Sequence, residues 1–147
     1  MDYKTAGVDT EKAQSYLHRL KGNIEATHHK AAAGEVRGAF GSFAGLFQAE
    51  GSKDVLAATT DGVGTKLELY REVQEYRGIG FDLLGMCLND LYCAGANPFF
   101  FLDYVVCERL DYSWYEPVLS DIAAACSYAG VPLLGGETAE HPGVFPQ

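Results

Sequence analysis

Apolar positions along the chain fall into two periods, which predict alternating helices and strands. Thr10 to His29 carries Ala13, Leu17, Leu20 and Ile24 at helical spacing, with Thr10 as the candidate N-cap and Gly22 weakening the last turns. Ala31 to Gly38 reads as a loop, and Ala39 to Phe47 as a glycine-laced strand. Val55 to Thr60 reads as a short buried strand ending in the turn signal Asp61-Gly62. Ile79 to Ala94 is a strong helix, its stripe made by Leu84, Cys87, Leu88, Leu91 and Ala94. Phe99 to Cys107, after Pro98, is a β-rich run. A further helix starts with Ser113 as a capping-box residue, or with Asp111 because Pro117 follows so closely. Its stripe is Val118, Leu119, Ile122, Ala123 and Cys126, and Gly130 is the expected C′ residue. Val131 to Leu134 then starts a strand that runs into Gly135-Gly136-Glu137-Thr138.

The order helix, strand, strand, helix, strand, helix, strand predicts an α/β (α+β) fold. Its economical form is one mixed four-stranded sheet with helices on one face. Phe99, Phe101, Leu102, Tyr104 and Val105 put bulky apolar groups on both sides of one strand. The second face therefore needs a cover, and a partner subunit is the simplest one.

Composition narrows the function classes. The chain has 147 residues, 48% hydrophobic and 21% charged, the balance of a folded domain. Its net charge of −9 argues against a general nucleic-acid binder. A single small anion remains compatible, because glycine amides and a metal act locally. No apolar run reaches the ~20 residues that a membrane span needs, and Met1-Asp2-Tyr3-Lys4 opens no signal-peptide pattern. Cys87, Cys93, Cys107 and Cys126 lack zinc spacing and read as buried free thiols, which fits a reducing cytoplasm.

Three acidic turns or borders carry the candidate chemistry. Asp61-Gly62-Val63-Gly64-Thr65-Lys66 follows a hydrophobic strand, but Thr precedes Lys, so it is not a Walker loop. A carboxylate, two glycines, a hydroxyl and a cation suit a metal–phosphate site. They equally suit a hairpin turn with a solvated lysine. Asp90 falls at the border of its helix's apolar stripe, where a carboxylate needs a partner, either a lysine or amide or a metal. Asp82 and Asn89 share a face directed away from the core. Glu137 ends another glycine-bearing strand, and the three acids would serve one divalent cation if they converged. Gly38 to Phe47 reads either as a lid over a nucleotide or as an edge strand. Among the histidines, only His141 lies near this chemistry.

Taken together, these stretches resemble the N-terminal half of the phosphoribosylformylglycinamidine cyclo-ligase (aminoimidazole ribonucleotide synthetase) family. The resemblance rests on Tyr3 to Asp9, Gly41 to Phe47, Thr60 to Lys66, Met86 to Leu91, Phe100 to Tyr104 and Gly135 to Gly143. Ser42, Ala44 and His141 depart from the family pattern. The family's chain is more than twice as long, so residues 1–147 are expected to be an incomplete N-terminal domain, inactive alone.

The resemblance implies ATP-dependent closure of formylglycinamidine ribonucleotide to aminoimidazole ribonucleotide in purine biosynthesis, in the cytoplasm. It implies Mg2+ held by Asp61, Asp90 and Glu137 on the ATP phosphates. Lys4, Lys21 and Lys66 are candidate phosphate contacts, with Gly62, Gly64 and Thr65 in the adjoining turn. The segment carrying Gly38, Gly41, Ser42 and Gly45 would close over the nucleotide. The family's domains pair as homodimers whose sheets join into a shared barrel. The alternatives are a related small-molecule kinase such as thiamine-monophosphate kinase, or a non-catalytic dimerisation or nucleotide-binding module.

Overall fold

A computed structural model describes residues 3–144. The chain divides into two compact units, Met1–Ala58 and Thr59–Gln147. The first contains α1 (Thr10–His28) and a three-stranded antiparallel sheet of β1 (Gly34–Arg37), β2 (Gly45–Ala49) and β3 (Leu56–Ala58), in the order β1-β2-β3. The cap of α1 is Asp9 rather than Thr10, its Oδ1 accepting from Lys12 N at 2.9 Å. The apolar stripe of α1 stays open, and none of its described residues is buried.

The segment Ala31–Gly38 is not all loop, since Gly34–Arg37 pairs with Leu46–Ala49. The glycine-rich stretch from Gly38 to Ala44 is the connection of that hairpin, and the strand begins only at Gly45. Gly34 is required here. It sits at φ +154°, and a Cβ would lie 2.2 Å from the Gln48 carbonyl oxygen. β3 pairs only with β2, so Leu56 is exposed rather than buried.

The second unit contains α2 (Lys66–Val73), α3 (Ile79–Cys93), β4 (Phe101–Cys107), α4 (Tyr112–Ala129) and β5 (Leu133–Glu140). β4 and β5 pair in parallel, with α4 as the crossover. The core joins Ile79, Leu84 and Cys87 of α3 to Val118, Ile122, Ala125 and Cys126 of α4, with Phe101 and Val131. In α4, Ala125 takes the buried place expected for Ala123. The α4 cap is Asp111, whose Oδ1 accepts from Ser113 N at 2.8 Å. Gly130 closes the helix in the left-handed region, at φ 67°.

Among the described residues the expected single four-stranded sheet is corrected to five strands in two sheets. Apolar runs mark strands but carry no record of which edges pair. In the second unit, β4 alternates as a one-sided strand. Phe101 is buried and Asp103, Val105 and Cys107 are half-buried, whereas Leu102 and Tyr104 are 58% and 63% exposed. Among the described residues, no helix is long and apolar enough to cross a membrane.

Two glycines set how closely these elements approach. At Gly80, a Cβ would lie 2.4 Å from the backbone of Asp121 and Ile122, so α3 crosses α4 at backbone contact. At Gly136, it would lie 2.3 Å from the Asp103 carbonyl oxygen and Oδ1. The Asp121 carboxylate also serves the start of α3. Its Oδ2 accepts from Gly78 N at 3.0 Å and from Gly80 N at 2.7 Å. Gly78, the α3 N-cap, has no side chain to cap with, so α4 satisfies amides that would otherwise be left open.

Candidate functional site

Past Ala58 the chain leaves the ladder and runs through Thr59, Thr60 and Asp61 against α3. Thr59 Oγ1 donates to Asp90 Oδ2 at 3.0 Å, and Cys87 Sγ donates to the Asp61 carbonyl oxygen at 3.8 Å. Asp61 and Asp90 both lie close enough to Cys87 for their charges to act on its thiol. Burial pushes the Cys87 thiol up, and the charges of Asp61 and Asp90 push it further in the same direction. The half-buried Asp90 has the partner its border position demands, but that partner is a threonine hydroxyl rather than a lysine or amide. Asp61 is exposed and its Oδ1 accepts from Gly62 N at 2.7 Å.

Glu137 lies on β5. It is the register partner of Tyr104, so the two share the exposed face of the β4–β5 pair. The next residue, Thr138, turns to the helix side, where its Oγ1 lies 2.9 Å from Tyr115 Oη of α4. Glu137 Oε1 accepts from Thr138 N at 2.9 Å. Among the described residues, no group of three His, Cys, Asp or Glu side chains is arranged to hold a metal ion. Strand alternation puts Glu137 and Thr138 on opposite faces of the β4–β5 pair, Glu137 with Tyr104 on the exposed one.

The Asp61–Gly64 segment is neither a hairpin nor the end of one. It leads into α2, with Gly64 at φ 73° and Thr65 as an N-cap whose side chain makes no capping bond. Lys66 opens that helix, and its Nζ lies 2.7 Å from both oxygens of Asp82. Tyr70 Oη donates to Asp82 Oδ2 at 2.6 Å. Asp82 is consequently not a free polar-face acid. The Lys66 bond, then the Tyr70 bond, holds its carboxyl below the usual range. The same bond, burial and the nearby carboxylates push Tyr70 up to about 12.

Lys4 Nζ lies 3.6 Å from Asp9 and Lys21 Nζ lies 3.6 Å from Glu25, one turn on in α1. Gly38 and Gly41 both sit at positive φ in the hairpin connection, where Ser42 Oγ donates to the Ala39 carbonyl at 3.3 Å. A Cβ at Gly45 would make only ordinary contact with the Ala58 carbonyl.

Three residues tied to the acidic site or its helix carry no sequence signal strong enough to single them out: Thr59, Cys87 and Asp121. All three act through bonds to residues distant in the chain. Nor are all the thiols buried: Cys87 and Cys126 are, Cys107 is intermediate and Cys93 is exposed, and all four are free.

The chain belongs to the family described as AIR synthase related protein, N-terminal domain, whose model matches residues 41–146. Among its relatives is the phosphoribosylformylglycinamidine cyclo-ligase of Synechococcus sp. (strain RCC307), 47% identical over 148 residues. That match covers 99% of this chain and 42% of the relative. The protein of the same name from Prochlorococcus marinus (strain MIT 9313) is 46% identical over 147 residues, covering 99% of this chain and 41% of the relative. The one from Leptospira interrogans serogroup Icterohaemorrhagiae serovar copenhageni (strain Fiocruz L1-130) is 45% identical over 147 residues, covering 97% and 42%. The chain thus spans well under half the length of these relatives.

Proposed function

We propose that this chain is the N-terminal part of an ATP-dependent cyclo-ligase that converts formylglycinamidine ribonucleotide to aminoimidazole ribonucleotide in cytoplasmic purine biosynthesis. The observation that carries the reading is the 47% identity, along 99% of the chain, to a relative of that name. In the reaction, the formyl amide oxygen takes a phosphoryl group from ATP. ADP is released, an amidine-side nitrogen then attacks the formyl carbon and loses a proton, and phosphate leaves as the ring closes.

Of the acids Asp61, Asp90 and Glu137 that the resemblance assigns to magnesium, Asp61 and Asp90 are the two whose surroundings fit the ion. Magnesium takes one or two protein carboxylates and fills its octahedron with water and phosphate oxygens. Asp61 and Asp90 supply hard oxygens on adjoining elements, each with one oxygen already fixed by a local hydrogen bond. The ion would neutralise charge developing on the transferring phosphoryl oxygens. The protein's own work in the second unit is to hold the two carboxylates. In this reading Lys66 steadies α2 against Asp82, while Lys4 and Lys21 remain phosphate contacts.

Exposed Leu102 and Tyr104, with Val106, form the apolar face that a second copy would cover, joining sheets in a homodimer. Glu137 sits on that face. Sedimentation velocity at tens of micromolar is expected to show a dimer, and a monodisperse monomer would refute it.

The catalytic test joins this sequence to the remaining part of the Synechococcus relative and follows ATP-dependent formation of aminoimidazole ribonucleotide. The joined chain should turn over, its Asp61→Asn variant should lose at least ~100-fold, and residues 1–147 alone should be inactive, because positioning errors of an ångström cost that much. Full turnover by Asp61→Asn would overturn the role given to the acid pair.

A further inference from the structure

The geometry points to Thr59 as a positioning residue for the acid pair, an inference that rests on the reading of Asp61 and Asp90 as cation ligands. Thr59 is half-buried where the chain leaves β3, and its hydroxyl donates to Asp90 Oδ2 at 3.0 Å. A threonine hydroxyl has one proton to give, and giving it to Oδ2 fixes the plane of the carboxylate. Oδ1 is then the oxygen that a cation would take. An unheld aspartate would have to stop rotating about its terminal torsion when the ion arrived.

The same bond also places Asp61. Thr59 precedes Asp61 by two residues, so tying it to Asp90 holds the start of the Asp61 segment against α3. A second tie, from Cys87 Sγ to the Asp61 carbonyl oxygen, pins the segment to α3 one helical turn before Asp90. Thr59 and Cys87 together fix the spacing of the acids from two points, and neither is itself a ligand. Partners that orient metal ligands in this way are worth about 10–100-fold in metal affinity.

The experiment titrates Mn2+ into the 147-residue chain and reads free Mn2+ by its electron paramagnetic resonance signal, alongside urea unfolding without metal. Wild type should bind, and Asp90→Asn should weaken binding strongly. Thr59→Val, which keeps the shape and removes the proton donor, should weaken it about 10-fold with little change in the urea midpoint. Thr59→Ser should restore affinity to within about threefold of wild type. If Thr59→Val binds as wild type does while Asp90→Asn does not, the positioning role is overturned and the acid-pair reading stands. Equal loss in Thr59→Ser and Thr59→Val would also overturn it, by tracing the effect to packing rather than to the hydroxyl. Absent binding by wild type, or undiminished binding by Asp90→Asn, would overturn both readings.

Discussion

Replacing Gly80 by alanine tests the closest helix crossing in the second unit. The new Cβ would stand 2.4 Å from the carbonyl carbon and oxygen of Asp121 and from Ile122 N. Carbon contacts are comfortable at about 3.5–4.0 Å, so α3 must retreat by roughly an ångström or more. Overpacking of this kind costs about 1–3 kcal/mol. The retreat also stretches the 2.7 Å bond from Gly80 N to the Asp121 carboxylate, and a hydrogen bond to a charged group is worth about 1.5–3 kcal/mol. Alanine returns up to about 1 kcal/mol of helix propensity. The balance is a loss of roughly 2–5 kcal/mol, a large part of the stability of any domain. Gly85 of the same helix is the control, because a Cβ there meets nothing within 4 Å. Gly85→Ala should be neutral or stabilising by up to about 1 kcal/mol. Trp114, the single tryptophan, packs against this core and reports urea unfolding by its fluorescence. With a slope of about 2 kcal/mol per molar, the Gly80→Ala midpoint should fall about 1–2.5 M below wild type. A Gly80→Ala midpoint at or above that of Gly85→Ala would refute the argument.

Gly34→Ala, with its Cβ 2.2 Å from the Gln48 carbonyl oxygen, should cost the hairpin about 2–4 kcal/mol, seen as lost hydrogen-exchange protection of β1 and β2 amides. Tyr70 is raised to about 12, and it is the neutral phenol that donates to Asp82. The stability it adds is complete below the unfolded value of 10.0 and is lost as pH rises through about 12. The difference in urea midpoint between wild type and Tyr70→Phe should therefore shrink across that window, and a flat difference would refute it. Iodoacetamide at neutral pH should modify exposed Cys93 well before Cys87 and Cys126, whose thiols burial pushes up, as peptide mass spectrometry would read.

Elements with a strong local signature were legible in the sequence. The stripe of Leu84, Cys87, Leu88 and Leu91 foretold α3, and Gly130 foretold its own left-handed C-cap. α2 carries no apolar stripe that would announce it, since Leu67, Leu69 and Val73 are all exposed in the helix. β1 was missed because Val36 is its one large apolar residue, and backbone pairing with β2 makes the strand. The same gap explains the single sheet: strand runs were visible and their partners were not. At the site, chemistry singled out Asp61 and Asp90, and the border position of Asp90 correctly demanded a partner. Which residue answered, Thr59, depends on a fold-back that no spacing encodes. For Glu137, alternation along β5 was available in principle, but the bulge between Phe101 and Leu102 sets the phase only once the pairing is known.

The capping of α3 from α4 bears on how the protein is made. Gly78 and Gly80 give their amide protons to a carboxylate 43 and 41 residues further along. On a ribosome adding about 5–20 residues per second, that carboxylate arrives roughly 2–9 seconds after the amides it serves. During that interval α3 has an open first turn and an apolar stripe without its α4 cover. The helix that carries Asp90 thus matures late relative to its place in the chain, and nascent chains arrested before Asp121 should hold it frayed.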